Sequence, residues 1–200
     1  MVELKLFNRW SFEGIEVKDP GLKPYINLTP VVVPKTYGRY TKHPFHKSKM
    51  NIVERLINKL MVPGHRGKKH LITSGRCTGQ TQTIIKLVKQ VFEKLEKRTG
   101  KNPIEVLVRA IENAAVREEV TSYQVGGIIV RKAVVTSPQR RLDKALSLMV
   151  QSAYRRAFRT GIPMTDALTD EIYFAYMNDA SKSEAIKEKE RIEREADGAR

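Results

Sequence analysis

Arg140, Arg141, Lys144, Arg155, Arg156 and Arg159 lie within "PQRRLDKALSLMVQSAYRRAFR", residues 138–159. At about 100° per residue, with Arg140 at zero, Arg141, Lys144, Gln151, Arg155 and Arg159 all fall between roughly 0° and 100°. Leu142, Leu146, Met149, Ala153 and Ala157 gather at roughly 180° to 260°. Within the segment only Asp143 opposes the positive charges. A merely solvated face mixes its signs, so this one predicts self-repulsion that an anion would relieve. Arginine offers a planar fork that matches phosphate oxygens, and the chemistry indicated is phosphate recognition.

Other constellations offer little chemistry. His43, His46, His65 and His70 precede Cys77, and three imidazoles with a thiolate could hold zinc, but the spacing fits no standard zinc pattern and no metal is expected. "GHRGKK" lacks the first glycine of a phosphate loop and follows Lys68 with Lys69, where that loop needs Ser or Thr. The same Gly-x-x-Gly suits a KH module, but the flanking segments do not supply that module's strands. Asp166, Asp170 and Glu171 read as solvated carboxylates, and no nucleophile stands beside a base. No enzyme activity and no cofactor are expected. Trp10, Phe12, Tyr25, Tyr37 and Tyr40 can stack on bases or anchor the chain.

The chain has 200 residues, a formal charge of +15 and a pI near 10.0. Such an excess exceeds what solubility requires and points to a polyanion, nucleic acid first. One cysteine permits no internal disulfide and fits a reducing compartment. "MVELKLFNRWSFEG" contains no long apolar run, so neither a signal peptide nor a membrane span is expected, and the reading is a soluble intracellular protein. Residues 35–70 carry ten Lys and Arg against Glu54 alone, whereas 161–180 hold four acids and no Lys or Arg. Cations expected at the nucleic acid are Lys35, Arg39, Lys42, Lys47 and Lys49 in the proline-rich segment, and Arg66, Lys68, Lys69 and Arg76 after it. Arg131 and Lys132 join them, with Arg140, Arg141, Lys144, Arg155, Arg156 and Arg159.

These residues must be positioned by helices. "NIVERLINKLMV" sets Ile52, Val53, Leu56, Ile57 and Leu60 at helical spacing. "TQTIIKLVKQVFEKLEKRTG" does the same with Ile84, Ile85, Leu87, Val88, Val91, Phe92 and Leu95, and stops at Gly100. "NPIEVLVRAIENAA" opens with Asn102 as N-cap and Pro103 at the first helical position. Ser137-Pro138 starts the basic helix by the same logic, and Gly161 ends it. "PMTDALTDEIYFAYMNDA" and "KSEAIKEKERIEREADGAR" supply two more helices. Five prolines in residues 20–49 predict an extended arm that crosses a surface and orders on contact.

Between the third and fourth helices, "VTSYQVGGIIVRKAVV" interrupts the pattern. Gly126-Gly127 suits the tight turn of an antiparallel hairpin at about 119–136. The register pairs Val125 with Ile128 and Tyr123 with Val130, while Ser122 and Gln124 share the opposite face with Ile129 and Arg131. A lone ribbon is marginal in water, so it must rest on its own body or on a partner. The expected architecture is mainly α: about six helices, one protruding two-stranded hairpin and an extended basic N-terminal arm. Residues 1–48 form the arm and 49–200 the helical RNA-binding domain.

Four blocks in order, "NPIEVLVRAIENAA", "VGG", "PQRR" and "KSEAIKEKERI", resemble the small-subunit ribosomal protein seven family over residues 49–198. "RWSFEGIEV" and "YINLTPVVVPKT" resemble its archaeal and eukaryotic branch. The resemblance implies a structural protein that binds the 3′ major domain of small-subunit ribosomal RNA and nucleates assembly of the subunit head. It also implies a ribbon near messenger RNA and exit-site transfer RNA, with neighbouring small-subunit proteins, number eleven among them, as partners. Cytoplasmic ribosomes follow as the location, with no membrane. Val125, Gly126 and Gly127 match the ribbon motif; with Ile128 and Arg131 they form the expected ribbon tip near messenger and transfer RNA. Arg140 and Arg141 match the paired arginines beside the RNA. The connector "GHRGKKHLITSGRCTGQTQT" is longer than the bacterial loop, leaving open which of Lys68, Lys69 and Arg76 takes its phosphate contacts. Two rival readings are an RNA-processing enzyme, which needs an acid-base pair or metal, and a DNA-binding helical regulator, which should favour duplex DNA as a symmetric dimer.

Overall fold

The computed structural model describes residues 4–64 and 80–200. In chain order these contain α1 (Ile52–Leu60), α2 (Thr81–Thr99), α3 (Pro103–Ala114), β1 (Glu118–Val125), β2 (Ile128–Val135), α4 (Pro138–Ala157), α5 (Met164–Tyr176) and α6 (Glu184–Asp197). The architecture is mainly helical, with a single two-stranded antiparallel sheet among the described residues.

Local chemistry sets most boundaries. The Asn51 side chain accepts from the Val53 amide at 2.9 Å and starts α1. Asn102 does the same for Ile104 at 3.0 Å, with Pro103 next to it, and starts α3. Gly100, at φ 66°, closes α2 with its amide on Glu96. Two expectations fail in detail. Ser137 makes no side-chain cap bond at α4, and α4 ends at Ala157 rather than at Gly161. After α4 the chain turns through Arg159 at φ 57°.

The apolar stripes read from the sequence meet in one core. Ile52, Val53, Leu56 and Ile57 of α1, Val88, Val91, Phe92 and Leu95 of α2, and Leu142, Leu146 and Met149 of α4 are all buried in it. Ile85, Leu87 and Ala157 are only half-buried, because a 100° step carries them to the flanks of their stripes. The helix α5 lies at the centre, against α2, α3, α4 and α6. Ala167, Leu168, Thr169, Glu171, Ile172 and Ala175 are buried on it, so the segment that reads as acidic and solvated is an internal helix.

The N-terminal segment is largely extended, with an isolated bridge between Leu6 and Trp10 and short 3-10 turns at Arg39–Thr41 and His46–Lys49. Its apolar side chains are not free. Leu6, Trp10, Phe12, Leu22 and Ile26 belong to the same core as the helices. The Trp10 ring meets Phe92 edge-on at 5.6 Å. Leu22 and Ile26 of segment 20–26 are thus buried against their own protein, where the hydrophobic effect favours them. The later residues are pinned by polar bonds: Thr36 donates from its amide and hydroxyl to Glu54 Oε1 at 2.8 and 2.7 Å.

The base of the ribbon is held by α6. The Arg117 amide donates to Glu193 Oε1 at 2.8 Å, and Arg200 pairs with Glu118 at 2.5 Å. Val116 and Thr136, on either side of the ribbon's root, are buried.

Candidate nucleic-acid interface

The ribbon follows the expected register: Val125 faces Ile128, Gln124 faces Ile129, Tyr123 faces Val130 and Ser122 faces Arg131. Gly126 and Gly127 have φ of 55° and 88°, the doubly left-handed turn that matches the twist of the paired strands. Ile128 and Ile129 are each 70 % exposed, and Val125 and Tyr123 also face solvent. Beyond its root the ribbon therefore stands clear of the helical body. Among the described residues, no carboxylate pairs with Arg131 or Lys132.

A second cationic surface lies on the arm. Arg39, Lys42 and Lys49 are exposed, with no acidic partner among the described residues. Lys35 sits 4.7 Å above the Tyr37 ring, and Tyr37 is 85 % exposed. Trp10 and Phe12 are anchors, Tyr25 packs against the core, and Tyr40 is half-buried. Phe45, which the sequence reading passed over, is 77 % exposed. The rings of His43 and His46 are 4.8 Å apart. Local desolvation, then Lys49 and His43, push the His46 pKa down from its ordinary value. His65, His70 and Cys77 lie outside the described residues, as do Arg66, Lys68, Lys69 and Arg76. Among the described residues no three potential ligands gather to hold a metal ion.

Helix α4 differs from its reading. Its cations do not wait for an external anion, because acids from other elements neutralise them. Arg140 and Lys144 share Glu119, at 2.5 and 3.2 Å. Arg141 meets Asp19 at 2.6 Å, Arg155 meets Glu184 at 3.2 Å, and Arg156 meets Asp170 at 2.9 Å. The sequence hides this because the partners lie on the arm, β1, α5 and α6, remote along the chain. Burial raises the Glu119 and Asp19 pKa values, but Arg140 and Lys144 around Glu119, and Arg141 with the Gly21 amide around Asp19, hold both carboxyls below their ordinary range. Most of these pairs remain partly open. Arg140 is 60 % exposed at its side chain and Arg155 55 %. A half-exposed guanidinium in such a pair keeps donors available to phosphate. Arg159 is exposed and lies 5.2 Å from the Phe158 ring.

The acidic helix has its partners within the chain. Asp166 pairs with Lys94 of α2; Asp170 takes Arg98 of α2 at 2.6 Å and Arg156 of α4. Glu171 is buried and accepts from Ser152 Oγ, Ser183 Oγ and the Ala185 amide at 2.8, 2.7 and 2.9 Å. The absence of Lys and Arg from 161–180 was the available sequence signal: an acid-only segment in a chain of this charge can sit among the cations of its own fold.

Among the described residues the predicted cations are thus distributed over a projecting ribbon, an arm surface and a long basic helix. The family described as Ribosomal protein S7p/S5e matches residues 22–200. The chain belongs to the Ribosomal protein S7p/S5e family. It is 48 % identical over 199 residues to "Small ribosomal subunit protein uS7" of Nanoarchaeum equitans, covering 100 % of both chains. The proteins of that name from Methanococcus aeolicus and Methanococcus maripaludis are each 44 % identical, over 199 and 200 residues, again at full coverage of both chains. S7p/S5e proteins are structural, non-enzymatic components of ribosomes. Among the described residues of this S7p/S5e chain, no helix is long and apolar enough to cross a membrane.

Proposed function

We propose that the chain is a structural protein of the small ribosomal subunit in the cytoplasm, binding the 3′ major domain of its RNA and nucleating assembly of the subunit head. The observation that carries this reading is a ribbon whose tip exposes Ile128 and Ile129 beside Arg131 and Lys132, which meet no carboxylate among the described residues, in a chain of the S7p/S5e family. An apolar ribbon standing in solvent is stable only marginally by itself. RNA and neighbouring protein would supply the missing packing, with messenger RNA and exit-site transfer RNA beside the tip and protein number eleven among the neighbours.

Mechanism on this reading is assembly by charge and shape. Each phosphate neutralised releases counterions, so binding weakens with salt. Arg39, Lys42, Lys49, Arg131 and Lys132 are the cations with least to lose, because no carboxylate among the described residues must be surrendered. The paired arginines of α4 contribute through their exposed donors. Specificity comes from fit to folded RNA, whose junctions and unstacked bases a rigid body can match.

The test compares the full chain with its Arg131→Glu/Lys132→Glu variant, binding a transcript of the 3′ major domain across a salt series, with random duplex DNA as competitor. The variant should keep the wild-type melting temperature and lose about one unit of log-log salt slope per lost phosphate contact, about two in all. Equal affinity of the wild type for duplex DNA and for the transcript would overturn the proposal.

A further inference from the structure

Arg39, Lys42 and Lys49 of the arm line a surface hollow of about 610 Å³, and His43 and His46 lie on it between them. Among the described residues that line it, none is acidic. Glu54 borders it through Thr36, whose amide and hydroxyl donate to its Oε1, but that residue is 5 % exposed. Lys47, beside His46, turns away to Asp143 of α4. The groups on the hollow are open to a ligand: Arg39, Lys42, His43 and Lys49 are exposed, and His46 is half-buried.

Local bonds hold this shape. The Thr41 amide and hydroxyl donate to the Gly38 carbonyl at 3.0 and 2.6 Å and close the turn Arg39–Thr41. The Ser48 amide and hydroxyl donate to the Phe45 carbonyl at 3.1 and 2.9 Å and close the turn His46–Lys49. Between the turns the His46 amide donates to the His43 carbonyl at 3.4 Å. Groups held in place before a ligand arrives lose little freedom on binding it.

The His43 and His46 rings are 4.8 Å apart. Two imidazolium charges at that separation disfavour each other, and surrounding cations add to the repulsion. Desolvation, then Lys49 and His43, hold the His46 pKa below its ordinary value in the free protein. An anion reverses the sign, because a phosphate oxygen accepts from a protonated imidazole and favours its charged form. Tyr37 and Tyr40 line the same hollow; Tyr37 is 85 % exposed, with Lys35 4.7 Å from its ring. Exposed rings among cations suit a nucleotide better than an acidic peptide.

We propose that the hollow holds one backbone phosphate of the bound RNA against the His43 and His46 imidazoliums, with Arg39, Lys42 and Lys49 around it, so that the protein takes up protons as the RNA docks. The inference rests on the RNA-binding function proposed above and adds a proton-linked phosphate site to it. By linkage, affinity rises as the pH falls through the imidazole range.

The experiment titrates the full chain with a 3′ major domain transcript in a calorimeter, in two buffers of different ionisation enthalpy, which reads the protons taken up per complex. Near pH 6.5–7 the wild type should take up about one proton more than His43→Gln/His46→Gln, with each single variant between them. One pKa unit is tenfold in the linked equilibrium, so wild-type affinity should gain roughly 5- to 50-fold on that of the double variant between about pH 8 and pH 6. His43→Lys/His46→Lys, with fixed charges, should bind at about pH 8 as tightly as the wild type at about pH 6. His65 and His70 are present in every variant, so the differences remove their contribution. His43 is exposed, so its single variant reads the effect even where the double variant is destabilised. If the wild type binds the transcript with no more proton uptake than the glutamine variants, the proposal falls while RNA binding stands. Inorganic phosphate or polyglutamate that draws the same uptake at the transcript's concentration would overturn the assignment to RNA. Failure of the wild type to bind the transcript would remove both readings together.

Discussion

Replacing Glu171 with alanine tests whether the acidic helix is the internal tie of this fold. The carboxylate is 3 % exposed and joins three elements: Ser152 of α4, the α5 backbone that bears it, and the start of α6 through Ser183 and the Ala185 amide. Ser183 is also the N-cap of α6, accepting from the Ile186 amide at 3.3 Å while its hydroxyl donates to Glu171. Alanine leaves three buried donors without an acceptor. A hydrogen bond to a charged group contributes roughly 1.5–3 kcal/mol, and bonds sharing one acceptor do not add fully, so the expected loss is about 3–5 kcal/mol. For a protein of this size each kcal/mol moves the melting temperature by about 2–4 °C, which places Glu171→Ala roughly 6–20 °C below the wild type. Glutamine keeps one acceptor oxygen, and a Ser hydroxyl can turn to accept from its amide. The expected loss for Glu171→Gln is therefore smaller, about 1–2 kcal/mol. Calorimetry of the three proteins checks the order. Alanine and glutamine variants that both melt within about 2 °C of the wild type would refute the assignment of Glu171 as a buried junction.

Asp143 is desolvated, which raises its pKa, yet Lys47 and the buried Arg55 beside it bring the carboxyl below its ordinary value. A depressed folded-state pKa contributes stability that is present above the unfolded value near 4 and lost as pH falls through the lower folded value. Asp143→Asn should be less stable than wild type at pH 7, with the gap closing below about pH 4; denaturant melts from pH 7 to 2.5 check this, and a gap independent of pH would contradict it. At the ribbon tip Gly127 has open space around the missing Cβ but a φ of 88°, so Gly127→Val meets backbone strain alone, about 1–2 kcal/mol. Amide exchange in residues 123–130 should quicken while the melting temperature moves by less than about 2 °C, because those residues lie outside the core; unchanged exchange would show that the turn does not limit ribbon stability.

Local signals carried a large part of the architecture. The caps Asn51 and Asn102, the stop at Gly100 and the stripes of α1, α2 and α4 are written in runs of a few residues, because the 3.6-residue period and the unpaired amides of a helix start act over that distance. The same holds for the ribbon register, set by two glycines and an alternation of period two. The cations of the arm and ribbon were also legible, since a charge excess needs no fold to be counted.

The sequence by itself therefore determined the elements, the hairpin register and the sign of the exposed charge on the arm and ribbon. Tertiary structure alone decided which charges are neutralised: Arg141 by Asp19, Arg140 and Lys144 by Glu119, Arg156 by Asp170. It also decided that Trp10 and Leu22 of the extended arm enter the core, and that α5 is central rather than solvated. The physical reason is range. Helix propensity and turn geometry depend on neighbours a few residues away, whereas ion pairing and burial depend on groups that chain folding alone brings together. Gln139 is the sharpest case: nothing in "SPQRR" distinguishes its amide from a solvated one, and only packing leaves it buried without a partner.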